Sequence, residues 1–230
     1  MFRLEEVSQT YFRLEGPVEA LRFATFEIRT GEFIAILGPS GSGKSTLLTI
    51  LGGMLTPTTG KVWLEGRSLY DLSSAERAES RRLKMGFVFQ TFNLVPYLSA
   101  LENVQVPLLL CRQPRQTQLL RAMQLLDQVG LADRAHHKPS ELSTGQQQRV
   151  ALARTLANDP AIVFADEPTG NLDPQTRNNV LEFLDKLHGE GKTIVLVTHD
   201  HQVAHRADRT LQMVAGKIEE ATSGRWKASA

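Results

Sequence analysis

The densest chemistry in the chain lies in Gly38-Pro39-Ser40-Gly41-Ser42-Gly43-Lys44-Ser45-Thr46. Glycines at this spacing let a backbone wrap closely around phosphate oxygens. The loop follows the apolar run Phe33-Ile34-Ala35-Ile36-Leu37 and leads into the helical run Thr46–Leu51, the strand-loop-helix context that phosphate binding requires. Loop N–H groups and the positive helix end would then face an anion. Lys44 would bridge the β- and γ-phosphates of a nucleotide, and the Ser45 hydroxyl would ligate Mg²⁺.

A second set of candidates is acidic. Ala161-Ile162-Val163-Phe164-Ala165-Asp166-Glu167 reads as a short buried strand with two carboxylates at its C-terminal end, where open α/β sheets bind ligands. Beside a phosphate loop, Asp166 suits Mg²⁺ or its waters, and Glu167 suits a general base acting on water. A third stretch, Leu142-Ser143-Thr144-Gly145-Gln146-Gln147-Gln148-Arg149, precedes an amphipathic pattern of Val150, Leu152, Ala153, Leu156 and Ala157. Ser143 and Gln146 have the spacing of a capping box, so a helix is expected to start there.

These groups must be held by a framework. Strands are expected at Phe26–Arg29, Phe33–Leu37, Lys61–Leu64, Met85–Phe89, Ile162–Ala165, Thr193–Val197 and Thr210–Val214, with helical patterns between them. The fold class is therefore α/β with a buried, largely parallel sheet. From about Phe92 to Ser140 strand signals give way to helical ones. Gln116–Val129 is an example, with Leu119, Leu120, Met123, Leu126 and Val129 on one side. The expectation is one domain. Residues 1–91 and 150–220 form its core and β subdomain, and 92–149 form an inserted helical subdomain. The tail after Glu220 is expected to be loosely held.

Composition limits the function classes. The 230 residues carry 26 Lys plus Arg against 25 Asp plus Glu, so net charge gives no reason to expect nucleic acid as a partner. A single cysteine, Cys111, cannot form an internal disulfide, and the acidic start Met1-Phe2-Arg3-Leu4-Glu5-Glu6 does not resemble a signal peptide. The longest apolar stretches fall far short of the roughly 20 residues that span a bilayer. A reduced cytoplasmic location is expected, with any membrane role exerted through a partner.

Taken together, the phosphate loop, the Ser143 stretch and the Asp166-Glu167 pair occur in the order found in the ATPases of ATP-binding-cassette (ABC) transporters, and the resemblance covers nearly the whole chain. The Ser143 stretch resembles the ABC signature Leu-Ser-Gly-Gly-Gln, with Thr144 where the first glycine usually stands. A P-loop NTPase core with an antiparallel β subdomain is implied. By the same resemblance, Gln90 is the Q-loop glutamine that touches Mg²⁺ or the attacking water, and His199 is the switch histidine at the γ-phosphate. Asp173 lies in the D-loop that couples two sites, and Tyr11 is the aromatic that stacks on adenine. As sequence alone, Asp173 reads as the N-cap of a helix with Pro174 in its first position. The other five histidines read as surface residues.

Pro168-Thr169-Gly170-Asn171-Leu172-Asp173, Leu51-Gly52-Gly53, and Phe92-Asn93-Leu94-Val95-Pro96 with Leu101-Glu102-Asn103-Val104 are similar to the lipoprotein-release and macrolide-export ATPases. That subgroup implies ATP and Mg²⁺ as ligands and a homodimer that sandwiches nucleotide between one copy's P-loop and the other's Ser143, Gly145 and Gln146. It also implies a separate permease with four membrane spans and an extracytoplasmic domain, with the ATPase on the cytoplasmic membrane face. The alternative is a soluble ABC ATPase acting in DNA repair or on ribosomes, which usually carries a long coiled coil, zinc-binding cysteines or tandem cassettes. This sequence has none of these. The substrate and the direction of transport are properties of the permease.

Overall fold

The apolar run Phe33–Leu37 becomes β3, buried along its whole length. Its alternate residues feed two cores, as a sheet covered on both faces requires. Phe33, Ala35 and Leu37 pack with Val163, Ala165, Ile194 and Leu196 in one core, while Ile34 and Ile36 pack with Ile162, Phe164, Val195 and Val197 in the other. Each large apolar side chain buried here contributes about 1.5–3 kcal/mol.

The computed structural model describes residues 1–14, 16–170 and 172–220. Asn171 of the Pro168–Asp173 motif and the tail after Glu220 lie outside the described residues. After β1 (Phe2–Arg13) and β2 (Gly16–Ile28) come β3, α1 (Lys44–Leu51), β4 (Thr59–Leu64), β5 (Arg67–Ser68), α2 (Ser74–Lys84) and β6 (Met85–Phe89). Three helices follow before the next strand: α3 (Ala100–Leu110), α4 (Arg115–Gln128) and α5 (Thr144–Thr155). The chain then returns through β7 (Ile162–Asp166), α6 (Pro174–Gly189), β8 (Thr193–Thr198), α7 (His201–Ala204), β9 (Arg209–Val214) and β10 (Lys217–Glu220).

The main sheet has the order β10-β9-β3-β8-β7-β6, parallel throughout except for the edge strand β10. A smaller antiparallel sheet, β2-β1-β4-β5, packs through Phe2, Leu4, Val7, Leu21 and Val62 into the core that contains α1. The register of the main sheet positions the site. Leu37 pairs with Thr198, Val197 with Asp166, and Asp166 with Phe89, so four strands end level. The next residues along the chain, Gly38, His199, Glu167 and Gln90, therefore emerge at one sheet edge.

Two expectations need correction. His188 is not a surface residue: its side chain is 22% exposed, lies edge-on to Phe33, and sits 3.0 Å from Asp208 Oδ2. On α4 the buried residues are Ala122, Leu125 and Leu126, whereas Leu119 and Leu120 are exposed. The helix begins at Arg115, and its first turns run clear of the packing that covers its second half.

Candidate nucleotide site

The phosphate loop is fixed by close backbone approach. Gly43 has φ of 108°, and a Cβ there would lie 2.0 Å from the Ala20 carbonyl oxygen. A Cβ on Gly38 would lie 2.1 Å from the Met213 carbonyl oxygen, so neither position accepts a side chain. Gly43 is the N-cap of α1 and supplies no side-chain cap. The first N–H groups of the helix thus remain available to an anion, together with the positive end of its dipole.

Lys44 is 5% exposed, and its Nζ donates to the carbonyls of Gly38 at 2.8 Å and Pro39 at 2.9 Å. It also stands 3.7 Å from Glu167 Oε1. Ser45 Oγ donates to Asp166 Oδ1 at 3.2 Å. Burial pushes the Asp166 carboxyl above its ordinary value; the Ser45 hydroxyl partly offsets this, the Glu167 charge adds to it, and Lys44 lowers it again. A half-buried carboxylate beside a serine hydroxyl is a hard-oxygen donor pair that fits Mg²⁺, whose charge would favour the ionised form.

Glu167 turns away from the strand with φ of 44°, and its N–H donates to the Val197 carbonyl at 3.0 Å. A non-glycine residue held in this region signals local strain of the kind that gathers at functional sites. Its Oε2 lies 3.1 Å from His199 Nδ1. Gln90 stands at the same edge; a Cβ on Gly170 would come within 3.0 Å of its Nε2. Tyr11 OH is 3.4 Å from Thr46 Oγ1.

A cleft of about 700 Å³ is lined by Tyr11, Ser40, Gly41, Gly43, Lys44, Ser45, Thr46, Gln90, Asp166, Glu167 and His199. Sequence reasoning missed the contribution of Arg13, Val18, Arg22 and Gly216 to the same walls. They belong to the β1–β2 hairpin, whose first strand was not read from the sequence, and to the β9–β10 turn, which lies beyond the expected strand Thr210–Val214. Gly216 N–H donates to Ser42 O at 3.0 Å, closing the β9–β10 turn onto the phosphate loop.

Ser143, Gly145, Gln146 and Asp173 do not line this cleft. Ser143 caps α5: its Oγ accepts from Gln146 N at 3.3 Å, and Gln146 Oε1 accepts from Ser143 N at 2.8 Å. Both halves of the expected capping box are present. Ser143 and Thr144 are exposed. Thr144 is the first helical residue and is not among the residues with positive φ, so a β-branched side chain fits there without strain. Asp173 caps α6, accepting from Gln175 N and Thr176 N at 3.1 Å each.

The ABC transporter family model matches residues 21–170, from the second strand through the acidic pair and its loop. The chain belongs to this ABC family. An ABC transporter ATP-binding protein of Thermotoga maritima is 49% identical over 95% of this chain and 94% of its own length. The macrolide export ATP-binding/permease protein MacB of Brucella melitensis is 46% identical over 98% of this chain, which spans only 35% of that relative. Among solved structures, a dimeric post-hydrolysis state of the ATP-binding cassette MJ0796 bound to ADP and Pi superposes with a TM-score of 0.90 at 43% identity. It covers 97% of this chain and 98% of its own; the organism of MJ0796 is Methanocaldococcus jannaschii. This ABC chain is thus an ATP-binding ATPase cassette with the P-loop NTPase fold. No described helix is long and apolar enough to cross a membrane.

Proposed function

We propose that two copies of this cassette close around ATP and that closure drives a separate membrane permease. The observation that carries this is the division of the site residues. Lys44, Ser45, Asp166, Glu167 and His199 share one cleft, while Ser143 and Gly145 present an exposed, capped helix N-terminus elsewhere on the same chain. A second copy would bring that N-terminus to the γ-phosphate, supplying donors that the first cleft lacks. The MJ0796 cassette, which is dimeric, supports a two-copy assembly.

In each composite site Tyr11 stacks on adenine and the Gly38–Thr46 loop wraps the phosphates. Lys44 exchanges its own loop carbonyls for the β- and γ-phosphates. Ser45, Asp166 and Gln90 would hold Mg²⁺, which would supply positive charge to offset the negative charge developing on the transferring phosphoryl group. Glu167 takes the proton from the attacking water, and His199, 3.1 Å away, orients that carboxylate and contacts the γ-phosphate. Release of phosphate removes the anion that joins the copies, and the dimer loosens. Asp173, at the start of α6, communicates between the two sites.

The permease docks against the helical subdomain near Gln90–Glu102. A groove of about 600 Å³ there has walls including Met54, Phe87, Phe89, Leu110 and Arg154. The MacB relative, named as an ATP-binding/permease protein for macrolide export, supports a permease partner. That this partner has four spans and an extracytoplasmic domain, works in export or in transmitting motion across the membrane, and holds this chain on the cytoplasmic face follows from the motif resemblance. The hydrolytic assignment is tested by Glu167→Gln, which keeps side-chain shape and removes the base. Turnover should collapse while ATP binding survives.

A further inference from the structure

Gln148 lies on α5 just under one helical turn beyond Gly145 and is 0% exposed. Its Nε2 donates to the Pro168 carbonyl at 3.3 Å, while its Oε1 is buried with no hydrogen-bond partner among the described residues. An unmade buried acceptor is destabilising, and methionine would fill a similar volume without it. What glutamine adds is a fixed link to Pro168, the residue that follows Glu167. That loop is under backbone strain at Glu167 and closes through the Gly170 N–H bond to Glu167 O at 3.1 Å.

The far end of α5 is anchored separately. Arg154 donates to Phe92 O at 2.7 Å and Asn93 O at 2.6 Å, and Thr155 Oγ1 donates to Phe87 O at 2.8 Å. The N-terminal half is tied instead to the helical segment before it, through Gln147 Nε2 to Pro139 O at 2.9 Å and Arg149 Nη1 to Val129 O at 2.9 Å, so a pull at Ser143 moves that half with its subdomain relative to the Glu167 loop. Gln148 lies in that half.

We infer that Gln148 is a positioning residue that transmits engagement of Ser143 and Gly145 with the partner's nucleotide to the Glu167 loop of its own cleft. The inference rests on the two-copy reading above. Each copy gives α5 to one composite site and Glu167 to the other, so this bond couples the two hydrolytic events. It runs through the middle of the signature helix and is separate from Asp173.

The test is steady-state hydrolysis by Gln148→Met and Gln148→Asn, with ATP affinity and melting temperature measured in parallel. Gln148→Met should lower kcat about tenfold with KM changed by less than about twofold, and the Hill coefficient for ATP should fall from near two toward one. Melting should hardly change, because the lost bond is offset by removal of the unsatisfied acceptor. Gln148→Asn, whose amide is withdrawn by one methylene, should show the same split. Wild-type kcat and cooperativity in both variants would overturn the inference, as would a raised KM at unchanged kcat. Unfolding of both at the assay temperature would also overturn it, since Gln148 would then be a core residue only. If wild-type protein itself hydrolyses ATP with a Hill coefficient of one and never dimerises, the two-copy reading fails instead.

Discussion

Replacing Glu167 by Gln tests the chemistry with little disturbance of shape. The carboxylate sits 3.1 Å from His199 Nδ1 and 3.7 Å from Lys44 Nζ, where the proposed mechanism needs its base. A positioned general base is worth about 10²–10⁴ in rate, so the barrier should rise by about 3 to 5 kcal/mol. Binding should not suffer: Lys44 loses only a carboxylate 3.7 Å away that competes with phosphate for it, and its bonds to Gly38 O and Pro39 O still order the loop before nucleotide arrives. Stability should not fall either, because the Glu167 charge is one of the causes holding the half-buried Asp166 carboxyl up. The assay pairs phosphate release at saturating ATP with titration of a fluorescent ATP analogue. Turnover within about threefold of wild type would refute the base assignment. A parallel loss of nucleotide binding would show that Glu167 holds the loop together instead.

Acid should unfold the cassette through its capping carboxylates. Asp173 is lowered by the Thr176 hydroxyl and by backbone N–H groups, and Glu76 and Glu102 by their bonds to Ser73 and Ser99. At Asp200, burial pushes the carboxyl up but is outweighed by the N–H groups of Gln202 and Val203 and by Arg177. Lowered carboxyls contribute stability that is present above their unfolded values and lost as pH falls through the folded ones. Asp166, which is raised, runs the other way. Melting temperature should therefore be level above about pH 5 and drop below about pH 4; a level curve down to about pH 3 would refute the balance. In native membranes solubilised in mild detergent with ATP and vanadate, the tagged protein should retain a permease with four spans and an extracytoplasmic domain. Recovery of only soluble partners or nucleic acid would instead favour the repair or ribosome alternative.

The phosphate loop and acidic pair were legible because each follows a short, continuously apolar strand, β3 or β7, that has no good alternative to burial in a parallel sheet. The long strand β1 was not legible. Its pairing with β2 shifts register between Leu4 and Val7, Val7 and Gln9, and Gln9 and Thr10, and Glu6 has φ of 50°. Bulges break the two-residue alternation on which strand reading depends. The cleft wall built from Arg13, Val18 and Arg22 was lost with it. The Glu167–His199 contact spans 32 residues of chain and depends on β7 and β8 ending level, which no local pattern encodes. Capping was the opposite case: Ser143 with Gln146 and Asp173 with Pro174 were readable because a cap is made within one turn.

The claim that the site is shared between two copies is tested most directly by sedimentation of the Glu167→Gln protein with ATP, with ADP and without nucleotide. The prediction is a dimer with ATP and single chains otherwise, with the dimer lost when Ser143→Arg is added. Single chains at saturating ATP, or a dimer that is indifferent to nucleotide and to Ser143, would contradict it.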